Sequence, residues 1–597
     1  MSSLYEAPNR GRVTVISGGF ARFNSVESVL GGTVQVTTYP AVKFDPARPV
    51  WPQIERMDLH PTVRFYIHNL NWLDFLVDSA LVSEDPQSSP AGKFARDVAG
   101  QWWSEYQKNP QWFEDEYVWG GHGVAIRTAF LTVLSELWPE EEWIKEALAY
   151  HAHDLVKRFD GYWNHGLTQS LALVMAASRL SDDDMRELGA QRAKDCLGVM
   201  IDGEGAINEQ APEYASYIER LLRETIKVLK LYELPGVGEL EEKKALVREF
   251  IAHAVTPGGT YVEIGDSVPR RPNYMRGEPI EFVYSNGVAG KVIPPVKVYS
   301  NGYIFGRSGF GQARHNTEET YYAVHFGPSR QIHGHFDHLS PTFWAEGRRI
   351  IVDPGHVGYK RGPERNYAQS RESHNVVVPR GITHDPATGS QLVYQSIDKP
   401  AQSFDLIDKG YAGAEWKRSM TFADCGPFVV SDKIEGLPRA THIDQRWNIA
   451  PEFDLVGTNE AKAEFRSRVD GLRLVLIRFL VVDGNVYATS DCGLLRGDRE
   501  TLRGHVAREE VLEPCWNVSF GASGKSFQMM TAVATVPYNE KVTWSFREHG
   551  EGSRILRIRY GRRYFAFAYD VATGAVRPHK ISWPQSRGEG GLIHLDA

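Results

Sequence analysis

His333-Gly334-His335-Phe336-Asp337-His338-Leu339-Ser340, followed by Phe343 and Trp344, is the stretch on which the fold turns. So many His and Asp residues in so short a span are hard to explain by packing alone. Two His and a carboxylate are a ready zinc set. The surroundings decide how to read the stretch. Downstream come Gly347-Arg348-Arg349-Ile350-Ile351-Val352-Asp353-Pro354-Gly355, then Tyr359, then Arg371-Glu372-Ser373-His374-Asn375. An apolar run that breaks at Asp-Pro-Gly predicts a strand ending in a turn, not a helix.

Working outward toward the N-terminus, the texture is helical. Val63, Ile67, Leu70, Leu73 and Val77 make one stripe, and Phe94, Val98, Trp102 and Tyr106 another. Ile126–Leu137, Ile144–Leu155, Leu167–Leu180 and Tyr214–Leu229 continue the 3.6-residue period, with a last helix near Leu246–Val255. Short Pro-, Gly- and Asp-rich turns make these helices antiparallel neighbours in a bundle, solenoid or toroid. No repeat of fixed length is present, which disfavours a regular solenoid. Beyond about Gly258 the texture becomes β. Tyr261–Ile264, Val296–Phe305, Tyr321–Phe326, Arg349–Val352, Asn375–Val378, Ser419–Phe422, Leu472–Val481, Asn485–Ser490, Val542–Phe546, Ile555–Tyr560 and Tyr564–Tyr569 read as strands. Ahead of the helices, Val13–Ile16 and Thr33–Thr38 read as short strands. The plan is a mixed segment 1–60, a helical domain 61–290 and a large antiparallel sandwich 291–597.

The 597-residue chain is too long for one core. Its net charge of −8 argues against a general nucleic-acid binder but allows a local basic cleft for an acidic ligand. The four cysteines form no CxxC pair and suggest neither a zinc knuckle nor a disulfide framework. No apolar run is long enough for a membrane span. Met1–Pro8 has no basic start and apolar stretch, so the expectation is a soluble cytoplasmic protein, or a periplasmic or secreted one if a leader was removed.

Two further clusters carry chemistry. Tyr162-Trp163-Asn164-His165-Gly166-Leu167-Thr168-Gln169 precedes an apolar helix; Asn164 and His165 are either a helix cap or ligand-facing groups. Asn208-Glu209-Gln210-Ala211-Pro212-Glu213-Tyr214-Ala215-Ser216-Tyr217 places Tyr214 and Tyr217 three apart on one helix face, either packed or in a site. Arg127 follows His122 in the 119–127 stretch and is either a contact for acidic sugar or a paired structural arginine.

Taken in order, these pieces resemble the heparinase II/III-like polysaccharide lyases. They are Asn-His-Gly before a helix, Glu209-x-x-x-x-Tyr214, Arg307-Ser308-Gly309, His333-x-His335-x-Asp337-x-x-Ser340, Asp353-Pro354-Gly355, and His374-Asn375 after Arg371. The resemblance implies an α+β multidomain fold, an N-terminal (α/α) toroid followed by a C-terminal antiparallel β-sandwich. It implies that Asn164 neutralises a substrate carboxylate, that His165 and Tyr214 are base and acid, and that His333 joins them from the sheet domain. Tyr217 and Tyr359 would be subsite residues, and Gln169, in the same cluster as Asn164, another substrate contact. His335, Asp353 and His374 match positions that hold a structural zinc in some members, and no organic cofactor is implied. The chain departs from many relatives at Ala211 and Ala215, where they carry Ser and His. The reaction implied is β-elimination on a uronic-acid polysaccharide or oligosaccharide of alginate or glycosaminoglycan type, giving 4,5-unsaturated products. Exolytic trimming is favoured, with no nucleic-acid or membrane partner, and a homodimer is allowed.

Asn can satisfy a carboxylate through its amide NH₂. Tyrosine titrates near 10 in water, so it suits the acid role unless a cation favours its phenolate. Three other readings compete, one of them a glycoside hydrolase on an (α/α) toroid, which would need two carboxylates such as Glu209 and Glu213 but has no comparable second cluster. His333-x-His335-x-Asp337-His338 also fits the dinuclear zinc motif of metallo-β-lactamase-type hydrolases, whose fold alternates strands and helices instead of grouping them. A non-catalytic glycan-binding protein would keep the architecture without the reaction.

Overall fold

The computed structural model describes residues 19–582 except 37, 460, 483–484, 488–491, 499 and 509, together with 595–596. The strand expected at Val13–Ile16, and the end of that expected at Asn485–Ser490, lie outside the described residues. The contacts divide the chain into two compact units, 1–201 with 217–245, and 202–216 with 246–597.

The first unit is built from successive helices. Pro90–Lys108, Gly121–Leu137, Glu142–Lys157, Asn164–Leu180 and Asp183–Met200 are its longest continuous members, the first two linked through the short helices Pro110–Phe113 and Glu116–Trp119 and the rest by short turns. Their limits follow local chemistry. Asp182 caps Asp183–Met200 by accepting from the Met185 N–H (2.9 Å), and Ser181 ends the preceding helix in a left-handed conformation. At the centre sits an aromatic stack of Trp102, Tyr106 and Trp119 around a fully buried Arg127. No described helix is long and apolar enough to cross a membrane.

The second unit is antiparallel β. One nine-stranded sheet runs from Phe453–Asn459 through Arg473–Val482, Phe527–Val536 and Phe428–Glu435 to Ser390–Ser396. The other runs from Cys492–Arg496 through Trp516–Gly524, Thr441–Ile449, Arg348–Ile351 and Pro341–Ala345 to Val296–Tyr299. They face each other across one apolar core that includes Phe343, Val377, Trp416, Phe428, Trp447 and Leu474. A five-stranded sheet, Val542–Glu548 onward, covers the outer face of the first sheet through a second core. This third layer explains the apolar run Leu474–Ile477. Leu474 and Leu476 point into one core, Val475 and Ile477 into the other, so both faces are buried.

The helical half followed by an antiparallel sandwich is the fold class the sequence predicted. Some details differ. Tyr261–Ile264 is no strand: only Tyr261 bridges Val255, among prolines and glycines that interrupt pairing. Val296–Phe305 is two strands, Val296–Tyr299 and Tyr303–Arg307, because Gly302 takes a positive φ and closes a turn between them.

Candidate functional site

In the second unit, four short segments converge. Residues 209–214 bring Glu209, Gln210 and Tyr214. Gln210 holds a left-handed backbone while its side chain accepts from the Gln331 N–H (2.6 Å) and donates to Pro328 and Ser329 carbonyls, both at 3.1 Å. This ties the 209–214 segment to the loop that carries His333. The His333 N–H donates to the Glu209 carbonyl (3.1 Å), and the Tyr214 ring lies on the His333 ring at 3.9 Å and 19°. Gly334 is required here, since a Cβ would stand 2.2 Å from Gln210 Oε1. Tyr359 meets His333 edge-on at 6.0 Å and is more than half exposed.

Behind His333 stands Asp266, which the sequence reading missed. Its carboxylate accepts from His333 Nδ1 (3.2 Å), His335 Nε2 (3.0 Å) and both terminal nitrogens of Arg365, and His356 Nδ1 lies between Asp266 Oδ1 (3.1 Å) and Arg365 Nη1 (2.9 Å). Burial alone would raise its pKa. The hydrogen bonds from the three histidines and Arg365 outweigh that and hold it far below the usual carboxylate range. Burial pushes the Glu209 carboxyl up, and His333, whose Nε2 is 3.6 Å from Glu209 Oε2, opposes the shift. No local motif marks Ile264-Gly265-Asp266-Ser267, so the sequence offered no signal for it.

His335, Asp353 and His374 converge as the resemblance implied, each offering a buried ligand atom within 4.8 Å of the others. The donor chemistry fits a zinc ion. His374 Nδ1 donates to the Ser370 carbonyl (2.8 Å), which leaves Nε2 buried without a partner, 3.6 Å from Asp353 Oδ2. His335 gives its Nε2–H to Asp266, leaving Nδ1 likewise orphaned. Burial lowers His374 to about 3, so it is the neutral imidazole a metal needs. Burial, and then the nearby Asp337, raise the Asp353 carboxyl, a tension that a bound cation would relieve.

The rest of the His-x-His-x-Asp-His run is not part of the trio. Asp337 pairs with His325 (2.6 Å), and His338 packs edge-on against the same ring at 5.0 Å, both in the core. Among the described residues, the metal-competent group is therefore the trio above, not the dinuclear set of a metallo-β-lactamase.

In the first unit, Asn164 and His165 open the helix Asn164–Leu180. Trp163, not Asn164, is the N-cap residue, so the capping reading does not hold. Asn164 Oδ1 accepts from the His165 N–H (3.0 Å), which leaves its amide NH₂ for a ligand. His165 is exposed and stacks on His122 at 4.5 Å. Burial, then the neighbouring His165, lower His122 to about 4. Gly166 is dictated by packing, since a Cβ would lie 1.7 Å from the Gly161 carbonyl. Tyr217 is half-buried with Arg220 over its ring.

Two expected substrate contacts are corrected. Arg127 is fully buried, donating to His151 Nε2 (3.0 Å) and to the His68 and Val118 carbonyls (both 2.9 Å), with its guanidinium 4.2 Å from the Trp102 ring. Gln169 is buried too, joining the Asp160 N–H to the Arg158 carbonyl. Both brace the helices and present no group to solvent.

Residues 304–552 match the family model described as Heparinase II/III-like, C-terminal. No curated protein matches the chain by sequence. Among solved structures, a heparinase III (the BT4657 gene product with methylated lysines) superposes with a TM-score of 0.72 at 16% identity, over 95% of this chain and 93% of its own. A mutant of the heparan sulfate lyase HepC from Pedobacter heparinus gives 0.70 at 14% identity, over 96% and 91%. At such identities the likeness is one of fold.

Proposed function

For a chain that carries a heparinase II/III-like C-terminal domain, we propose a polysaccharide lyase that cleaves a uronic-acid glycan by β-elimination. The observation that carries this reading is the Tyr214 ring stacked on His333, with Asp266 hydrogen-bonded behind that histidine. A uronate carries its acidic C5 proton beside a carboxylate. Removing the proton adds a second negative charge there, so the carboxylate must first be quieted. The sequence resemblance gives that task to Asn164. The Tyr214 phenol is the acid toward the C4 oxygen as the glycosidic bond breaks. When proton and leaving group share a ring face, Tyr214 begins as the phenolate, takes the C5 proton and passes it to the C4 oxygen; when they do not, the resemblance gives the base to His165. His333, its Nδ1–H given to Asp266, holds the Tyr214 ring in place through the stacked pair. The product keeps a C4–C5 double bond.

Glycosaminoglycans of the heparan sulfate type head the substrate list, since the fold relatives are named for them, with alginate next and exolytic action on oligosaccharides the preferred mode. His335 Nδ1, His374 Nε2 and Asp353 would hold one structural zinc. When bound, it would supply rigidity to the strand ends beneath His333 rather than chemistry.

The test is a panel of uronate glycans followed by ultraviolet absorbance of the unsaturated product, then by product sizing. New absorbance on one of them is expected. Reducing ends appearing without absorbance would identify a hydrolase, and neither signal would identify a binder; both outcomes reject the reading.

A further inference from the structure

We propose that Asp266 is a positioning residue that sets the tautomers of His333 and His335 together, so that one carboxylate prepares both the reacting face and the metal trio. The proposal rests on the lyase reading for its first half and on the zinc assignment for its second.

The argument is one of donors and acceptors. An ionised carboxylate only accepts, so every ring nitrogen that touches it must carry a hydrogen. For His333, that places a hydrogen on Nδ1, so in the neutral ring the lone pair falls on Nε2. For His335 it is the reverse: Nε2 carries the hydrogen, and the lone pair falls on Nδ1, the buried atom left without a partner beside His374 and Asp353. Two histidines two residues apart are thus held in opposite tautomers by two oxygens of one side chain.

The carboxylate itself is fixed. Arg365 grips both oxygens, and His356 Nδ1 packs against the pair, 2.9 Å from Arg365 Nη1 and 3.1 Å from Asp266 Oδ1. Its backbone is fixed as well. The Asp266 N–H donates to the His333 carbonyl (2.9 Å). Gly265 has φ +57°, and a Cβ there would lie 2.5 Å from the Gln210 carbonyl and 2.6 Å from that of His333. Asp266 is therefore docked on the His333 loop from both ends, and only 2% of it is exposed. A merely structural ion pair with Arg365 would need neither histidine.

The experiment uses the full chain with Asp266→Asn, near in shape but able to accept on one side only, beside Arg365→Gln, Tyr214→Phe and wild type. Thermal melts confirm folding. Turnover is measured on a glycan that wild type cleaves, and zinc affinity by competition with a chromophoric chelator. D266N should lose about 10²–10⁴-fold in kcat with KM within about twofold, the signature of a misplaced imidazole hydrogen. Its zinc affinity should fall about 10–100-fold. R365Q, which loosens the carboxylate without removing it, should show both losses in smaller measure, and stands in if D266N does not fold. D266N with wild-type kcat and zinc affinity overturns the proposal, and loss of melting temperature alone does so too. The two readings separate cleanly. If Y214F is inactive while D266N is not, the lyase reading stands and this one falls. If wild type yields no unsaturated product, the lyase reading falls, and zinc affinity alone judges Asp266: an unchanged value in D266N, or no uptake by wild type, refutes it.

Discussion

Arg418→Met should destabilise the sheet unit by about 3–5 kcal/mol, as expected when one partner of a buried ion pair is removed. Arg418 and Asp432 stand directly opposite on neighbouring strands, and both are fully buried in the sandwich. The guanidinium donates twice to Asp432, at 2.7 and 2.8 Å, and also to the Leu339 and Asn375 carbonyls, at 2.8 and 2.6 Å. Met fills similar space but donates nothing. Asp432 would keep the Trp416 and Gln445 donors and lose its counter-charge, while two buried carbonyls would lose a donor. With roughly 2 cal/mol/K of unfolding entropy per residue over this unit, the loss corresponds to a melting point lower by about 4–6 °C. Scanning calorimetry would follow the transition of the sheet unit. Asn375 directly follows His374, so zinc retention should weaken as well. Arg418→Met with Asp432→Leu should recover part of the loss, because no lone charge stays buried. A single variant melting within about 1 °C of wild type would refute the reasoning, since the stated deficit scales to several degrees.

Tyr214→Phe removes one hydroxyl and keeps the ring on His333. Turnover should fall about 10²–10⁴-fold with folding unchanged, measured as unsaturated product. His374→Ala should abolish the zinc binding expected at one ion per chain, read by elemental analysis after dialysis, and lower the melting temperature of the zinc-loaded protein. Asp424 gives a pH prediction. Burial pushes its carboxyl up to about 7, with Gln402 opposing. A folded pKa above the unfolded value near 4 means that the stability is fully present below about pH 4 and is lost as pH rises through about 7. Asp424→Asn should therefore melt like wild type at pH 4 and higher than wild type at pH 8. Melting curves that stay parallel from pH 4 to 8 would exclude this role.

Local patterns were legible because they depend on near neighbours. The helical period from Val63 to Leu229 and the apolar strands after Val296 follow from which face of an element is buried, so fold class could be read from them. Asn164-His165-Gly166 and Glu209…Tyr214 were visible as motifs, and His335, Asp353 and His374 as a family pattern.

What a side chain touches across the fold was not legible. Arg127 could be read as a contact for an acidic sugar or as a paired structural arginine, and it is packed between tryptophans with donors on His151 and on backbone carbonyls. Asp337 and His338 sit in the same six-residue run as His333 and His335 and go to a different place. The chain turns through Leu339, which has a positive φ, and their partner His325 comes from the neighbouring strand. Asp266 carries no local signal, and its role exists only because residues 333, 335, 356 and 365 are folded onto it. By itself the sequence determined the elements, their order and the chemical types available for a site. Tertiary structure alone decided which charges are paired and buried and which face solvent, because a buried hydrogen bond joins groups that are close in space at any separation along the chain.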